Sequence, residues 1–369
     1  MRALNRDDVA RSAIQRSLFA PTTLERAIDA LGFVQADPIR APARAQDLIL
    51  RHRVLGYRAG DLERRYADLA VEEDYFVNYG FLPRAHVALM HPRTARRAWT
   101  ASHRRRATAI FAFIRERGEA HPDDVEAHFA HGRVVNAWGG TSRASTSLLD
   151  AMHYRGLLRI ARRDGGVRVY APPRLEPVEL SREARAARLL HLALSLYGPV
   201  PERSLGTLAS FLRCGAPHLR TPIRAELERL KARLPRARVD GVTWFWPGDV
   251  DPRARAAPNE TVRFLAPFDP LAWDRRRFEL LWGWAYRFEA YTPVRKRVRG
   301  YYALPLLWRD EIIGWANVTS ADELTLGYAS GRPPRERAFA RAVEEERERL
   351  RHFLAAHSNS EISASDVVG

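Results

Sequence analysis

Cysteine and lysine are nearly missing from this chain. Cys214 is the sole cysteine among 369 residues, which excludes an intramolecular disulfide, a CxxC redox pair and a thiolate-bound zinc or iron–sulfur centre. Its expected role is that of a small packed side chain. Lys231 and Lys296 are the two lysines, so a mechanism that forms a Schiff base has few amines to draw on. No apolar run is long enough to cross a bilayer, and the N-terminus, with Arg2, Arg6, Asp7 and Asp8, lacks the apolar core of a signal peptide. The expected compartment is therefore the cytoplasm, with no membrane partner. P-loop, dinucleotide-binding glycine fingerprint, HExxH and nucleophile elbow are all absent. His86, His91, His103, His121, His128 and His131 show no metal-ligand spacing, and no cofactor or metal is expected.

What is present in excess is arginine. The net charge is +16 and the sequence pI about 10.7. A GC-rich genome accounts for arginine in place of lysine, but not for the surplus of cations over the 44 acidic residues. That surplus points to a polyanionic partner, and nucleic acid fits it.

With 46% hydrophobic residues the chain can bury a large core spread over several small domains. The pattern predicts an α+β protein in which tandem winged-helix (helix-turn-helix) domains are followed by a small β-rich C-terminal domain. A first winged-helix-like domain is read at 1–105. Its third helix, Ala43 to Arg53, is expected to turn Ala45, Leu48 and Ile49 inward and Arg44 and Arg51 outward, toward phosphate. A winged helix follows at 106–175, with helices at Ala109 to Arg117, Pro122 to Phe129 and Ser142 to Tyr154. Leu157 to Ala161 and Val167 to Ala171 are its predicted wing, Arg162 and Arg163 at the tip. Trp138, beside Gly139 and Gly140, is read as core, with base stacking as the alternative. Prolines 172, 173 and 177 mark a linker. Residues 176–256 read as a third winged-helix-like domain: helices at Ala184 to Leu196, Leu205 to Phe211 and Ile223 to Arg233, then a strand at Val239 to Trp246. Residues 257–357 are dense in aromatics, with strands expected at Val262 to Leu265, Arg299 to Leu307, Ile312 to Val318 and Glu323 to Tyr328. A charged helix, Arg335 to Leu354, is expected to cover a sheet edge. There Arg295, Lys296, Arg297 and Arg299 abut Tyr291, Tyr301 and Tyr302, a pairing of cations with aromatics that suits single bases and phosphates. The tail 358–369 is expected to be disordered.

One stretch carries chemistry. Leu24, Ala27, Ile28 and Leu31 recur at helical spacing, Thr22 or Thr23 can cap that helix, and Gly32 ends it. Pro38 disfavours helical dihedrals at Asp37, so Phe33 to Asp37 should be extended, with Gln35 and Asp37 on one face about 6.5–7 Å apart. An amide and a carboxylate so placed suit N-glycosidic hydrolysis. Asp37 would deprotonate a water and face the oxocarbenium-like sugar, while Gln35 orients the water or the sugar. The alternative is an Asx turn before proline with no chemistry at all.

The run Leu31 to Ile39, then Arg44-Ala45 and Arg53 to Tyr57, resembles the winged-helix DNA glycosylases of the AlkZ and YcaQ (AlkX) family, which release alkylated bases and unhook interstrand crosslinks. Leu265 to Pro270, Trp273 to Arg275, Tyr286 to Glu289, Tyr291, Pro293, Lys296-Arg297, Gly300 to Tyr302 and Leu304-Pro305 resemble that family's closing segment. The resemblance spans roughly 1 to 355 and implies an enzyme acting on alkylated purines in double-stranded DNA, N7-alkylated ones expected, with Gln35 and Asp37 as its Gln-x-Asp pair; the scarcity of lysine favours a monofunctional mechanism that uses water, and the lack of a heptad or apolar dimerisation helix favours a monomer. Two places depart from it. Gln46-Asp47 stands where the YcaQ branch has a histidine run, and Tyr75 to Gly80, with Val77-Asn78, replaces its Tyr-Trp-x-His-Glu-Ala. A regulator or architectural protein without catalytic activity is the rival reading, because winged helices are most often binding modules.

Overall fold

The structure, a computed structural model, describes residues 2–94, 98–130, 132–135, 141–254, 260–320 and 322–355. It mixes helix and antiparallel sheet, and no helix among the described residues is long and apolar enough to cross a membrane. Contacts divide the chain into two units that interleave along the sequence: 1–62, 191–208 and 227–369 form one, 63–190 and 209–226 the other. Sequence boundaries at 105, 175 and 256 mark changes of pattern, and the division by contact runs along different lines. The boundary at 105 falls inside a helix, Ala101–Arg117, which starts earlier than expected because Thr100 accepts from the His103 amide. The polar run His103 to Arg106 hides that first turn from a hydrophobic periodicity.

The first unit opens with helix Arg6–Ser17, held by a reciprocal capping box between Asn5 and Asp8. Its Val9, Ala10 and Ala13 pack with Phe278, Trp282 and Tyr286, with Leu265, Leu307 and Ile312, and with Trp244 and Trp246 in one core. Strands Val262–Phe264, Leu304–Trp308, Glu311–Val318 and Leu324–Tyr328 form an antiparallel sheet in chain order. Helix Arg337–Leu354 does cover its edge: Glu346 accepts the Phe264 amide at 3.1 Å and Arg349 donates to the Val262 carbonyl at 3.1 Å. Groups that an edge strand would leave open are thereby paired. The expected strand from Arg299 begins only at Leu304. The carboxylate of buried Glu289 accepts the amides of Val298, Arg299 and Gly300, which a strand would need for its ladder. Gly300 sits at φ 123°, where a Cβ would stand 2.2 Å from Asn317 Oδ1. The single strand expected at Val239 to Trp246 is a hairpin, Arg236–Val239 with Val242–Phe245, turned by Asp240 and Gly241 at positive φ.

In the second unit, helices Ala101–Arg117, Pro122–Phe129 and Ala144–Tyr154 bury Ile110, Ile114, Val125, Leu149 and Met152. The segment read as a wing is a hairpin, Arg159–Asp164 with Val167–Ala171, but its turn is only Gly165-Gly166, both at positive φ as a two-residue turn demands. Arg162 and Arg163 therefore lie in a strand, opposite Val169 and Arg168, and not at the tip. A second hairpin, Val71–Tyr75 with Tyr79–Pro83, places Val77-Asn78 in its connection. Trp138, Gly139, Gly140 and the tail from 358 lie outside the described residues.

Candidate active site

Thr23 caps helix Leu24–Leu31 and Gly32 ends it in the left-handed region at φ 70°. The chain then runs out through the two-residue strand Val34–Gln35 toward Asp37. Gln35 is buried and Asp37 half-buried, whereas Val34 is fully enclosed. Two hydrogen bonds define the surroundings of Asp37. The Ile39 amide donates to Asp37 Oδ1 at 2.9 Å, an Asx turn that aims the side chain, and the Asp37 amide donates to Gln46 Oε1 at 3.4 Å. Burial, and next the Asp37 carboxylate, push the Tyr302 hydroxyl well above the ordinary phenol range. Burial pushes the Asp37 carboxyl above the ordinary carboxylate range, and the Ile39 amide pulls it back in part. The turn and a basic role are thus compatible: one oxygen is held and the carboxylate has been made more basic by partial loss of water.

The departures from the family pattern acquire places here. Gln46 is buried and touches the Asp37 backbone, so the position where a histidine run was expected does adjoin the acid. Asp47 is structural: it accepts from the Tyr57 hydroxyl at 2.7 Å and the Gly60 amide at 3.1 Å. In the other unit, Asn78 is exposed and turns its own hairpin, its Oδ1 accepting from the Tyr79 amide. His91 is held by Asp74 at 2.6 Å and His153 by the Glu73 carbonyl at 2.8 Å. Among the described residues no group of three or more His, Cys, Asp or Glu is placed to hold a metal.

Several of the arginines read as DNA contacts are engaged elsewhere. Arg51 was expected to face outward; its side chain is almost fully enclosed, 3.0 Å from Glu346 and 5.2 Å over the Phe353 ring. Arg163 clasps Glu73 and donates to the Gly166 carbonyl. Arg299 lies 5.4 Å from both Trp284 and Trp315 and donates to the Ala285 carbonyl. Arg297 donates to the Thr292 carbonyl at 2.8 Å and covers Tyr301 at 5.0 Å. Arg44 is half-buried at the start of helix Ala45–Leu50, and Arg162 is exposed beside Glu119 and Asp164. Arg295 and Lys296 stand exposed on the turn Val294–Lys296. Around them Tyr291, Val294 and Val298 are 80%, 76% and 75% exposed. Residue patterns had marked Tyr291 and Tyr301; the two valines carried no signal in the sequence beyond their neighbours.

The two sequence blocks that resemble one family meet in the fold. Arg53 donates to both oxygens of Asp269 at 2.9 and 3.2 Å, with both side chains fully buried, and His52 Nε2 lies 2.9 Å from the Phe264 carbonyl. Burial first, and then the nearby arginines, keep His52 well below its ordinary range, hence neutral and donating to that carbonyl. The fold is similar to that of Streptomyces sahachiroi DNA glycosylase AlkZ, with a TM-score of 0.62, 16% identity, and coverage of 95% of this chain and 97% of that one. The model of the DNA glycosylase AlkZ-like family matches residues 28–353. A match over nearly the whole chain, including the segment that carries Gln35 and Asp37, means that the protein belongs to the AlkZ-like family of DNA glycosylases.

Proposed function

We propose that this protein is a monofunctional DNA glycosylase that releases N7-alkylated purines, crosslinked ones included, by attack of water on the sugar. The observation that carries the reading is the half-buried Asp37 carboxylate, raised in basicity by burial and placed two residues beyond Gln35 in a chain of this family. Alkylation at N7 makes the base a cationic leaving group, so its departure needs little help, and the enzyme's task reduces to holding and deprotonating a water and facing the positive sugar. Asp37 is the base and Gln35 the orienting amide. Water is favoured over an amine because Lys231 is engaged by Glu202 and Glu228, each at 3.5 Å, while Lys296 stands exposed on its turn.

The three helices and hairpin at 101–171 serve as a winged helix, with the segments before and after it as diverged copies, and the protein works as a monomer on duplex DNA. Phosphate is gripped by Arg295 and Lys296 in one unit and by Arg162 in the other, with Arg44 near the acid; Arg297 and Tyr301 shape the first of these contacts. Incubation with duplex containing 7-methylguanine, or with a crosslinked duplex, followed by mild alkali tests the activity directly. Strand breaks above the no-enzyme control are expected on at least one substrate. Their absence on both, together with tight binding to one undamaged sequence, would instead identify a regulator.

The phosphate grip has its own test. Arg297 and Arg299 are tied to carbonyls and rings, so a variant with Arg295 and Lys296 both replaced by alanine should already reduce the salt slope of binding by about two, equally on damaged and intact duplex. Fluorescence anisotropy across a salt series measures it. An unchanged slope in a folded variant would move the grip away from this turn.

A further inference from the structure

On helix Ala101–Arg117 of the second unit, Arg104, Ala107 and Phe111 fall at spacings of three and four and so share one face. With Trp99, Arg155 and Leu157 they line an open pocket of about 530 Å³, a size that takes a small molecule. Its walls are mainly apolar, and Leu157 leaves 40% of its surface exposed. The charged groups there are all arginines. The Arg155 guanidinium lies 4.1 Å from the centroid of the Trp99 ring, and Arg104 donates to the Trp99 carbonyl at 2.7 Å, which ties the tryptophan to the helix. Arg93, also in the wall, is engaged by Asp74 at 3.1 Å. No lining residue among those described is acidic. The sequence accounts for that: from Tyr75 to Arg115 it has eight arginines and neither aspartate nor glutamate, in a chain that holds 44 acids among 369 residues. An apolar pocket set in a positive segment fits a ligand with a planar apolar part and an anionic one. A nucleotide has both, since its base stacks on indole and guanidinium faces and its phosphate pairs with arginine.

We propose that this pocket receives an unpaired base of the DNA, stacked on Trp99, with the adjoining phosphate met by Arg104 and Arg155. This rests on the reading of the protein as one that acts on duplex DNA and deepens it. Phosphate contacts position a duplex without reporting its state, because intact and damaged DNA carry the same backbone. A pocket for a base does report it. A paired base stays in its stack unless unstacking and unpairing are overcome, whereas a base that has lost its partner enters with less resistance. The second unit thereby prefers duplex in which pairing has failed.

Two labelled duplexes of one sequence test this with the full chain by fluorescence anisotropy: one fully paired, the other with a single adenine facing an abasic-site analogue. Wild type is expected to bind the second about tenfold more tightly. Trp99→Ala should erase that preference and leave affinity for the paired duplex unchanged, while Trp99→Phe, which keeps a ring, should retain most of it. Equal affinity of wild type for the two duplexes, or a preference that survives in Trp99→Ala, would overturn the proposal. So would an equal loss on both duplexes, the mark of a tryptophan that only packs. If Trp99→Ala melts lower than wild type, Leu157→Glu decides, because it sets a carboxylate among the proposed phosphate contacts at an exposed position: loss of the preference supports the proposal and its survival overturns it. Excess deoxyadenosine monophosphate should leave the preference intact; its abolition would make this a site for free nucleotides and overturn the assignment to the strand. Binding of neither duplex by wild type would reject the DNA reading itself.

Discussion

Asp37→Asn is expected to slow base release by roughly 10²–10⁴-fold while leaving DNA affinity almost unchanged, the loss typical of removing a general base. The amide keeps the shape and still offers an oxygen to the Ile39 amide, which donates to Asp37 Oδ1 at 2.9 Å. It cannot take a proton from water. The pH profile gives a second reading. Asp37 acts as the anion, and burial raises its carboxyl above the ordinary carboxylate range. Wild-type activity should therefore fall as pH drops through that raised value, and the acid limb should vanish in the variant. Stability is expected to move the other way. A carboxyl whose folded-state pKa is raised favours the fold only below its unfolded-state value, and that contribution is lost as pH rises through the folded value. At neutral pH the ionised Asp37 is thus a burden on the fold, and the asparagine variant should melt no lower than wild type. Release rates equal to wild type would remove Asp37 from the mechanism; a lower melting temperature would make it structural.

Features specified over a few residues could be read from the sequence. The helix Leu24–Leu31, its Thr23 cap and the left-handed Gly32 all depend on neighbours, and all are present; of the run expected to be extended as far as Asp37, Val34–Gln35 is strand. Features specified over long range could not. Arg51 reads as a surface cation because Glu346 and Phe353, which enclose it, lie about 300 positions away. Arg163 reads as a wing tip until Glu73 claims it, and Arg299 as part of a basic run until Trp284 and Trp315 flank it. A charged side chain looks solvated wherever its partner is distant in sequence, so counting arginines overstates the number left facing solvent. Glu289 inverts the same lesson. Its natural partners in the sequence are the cations at 295–299, yet its carboxylate takes the backbone amides of Val298, Arg299 and Gly300, which shapes the loop and leaves Arg295 and Lys296 exposed. Tyr302 was visible in the sequence only as one of several aromatics; its burial against Phe288 appears once the chain is folded.

Asp269→Ala is expected to cost about 3–5 kcal/mol, the loss typical when one partner of a buried ion pair is removed and the other charge stays behind. Arg53 and Asp269 are both fully buried and bonded at 2.9 and 3.2 Å. Arg53 would keep its neutral acceptors, the Ser17 and Ile49 carbonyls and the Ser17 hydroxyl, but nothing to balance its charge. Asp269 also accepts the Leu271 amide at 3.1 Å, a bond the variant loses too. In a chain of 369 residues the effect should lower the melting temperature by about 4–6 °C. A double variant, Arg53→Met with Asp269→Leu, should recover much of the loss, because the pair's worth over well-packed apolar side chains is small once no charge is stranded. Recovery of stability in the double variant, measured by denaturant unfolding, would assign the pair to the fold. The two motif blocks would then be joined for support, and the proposed chemistry would rest with the segment at Gln35 and Asp37. A single-variant loss below about 1 kcal/mol, the scale of an exposed pair, would mean that the charge reaches water after all.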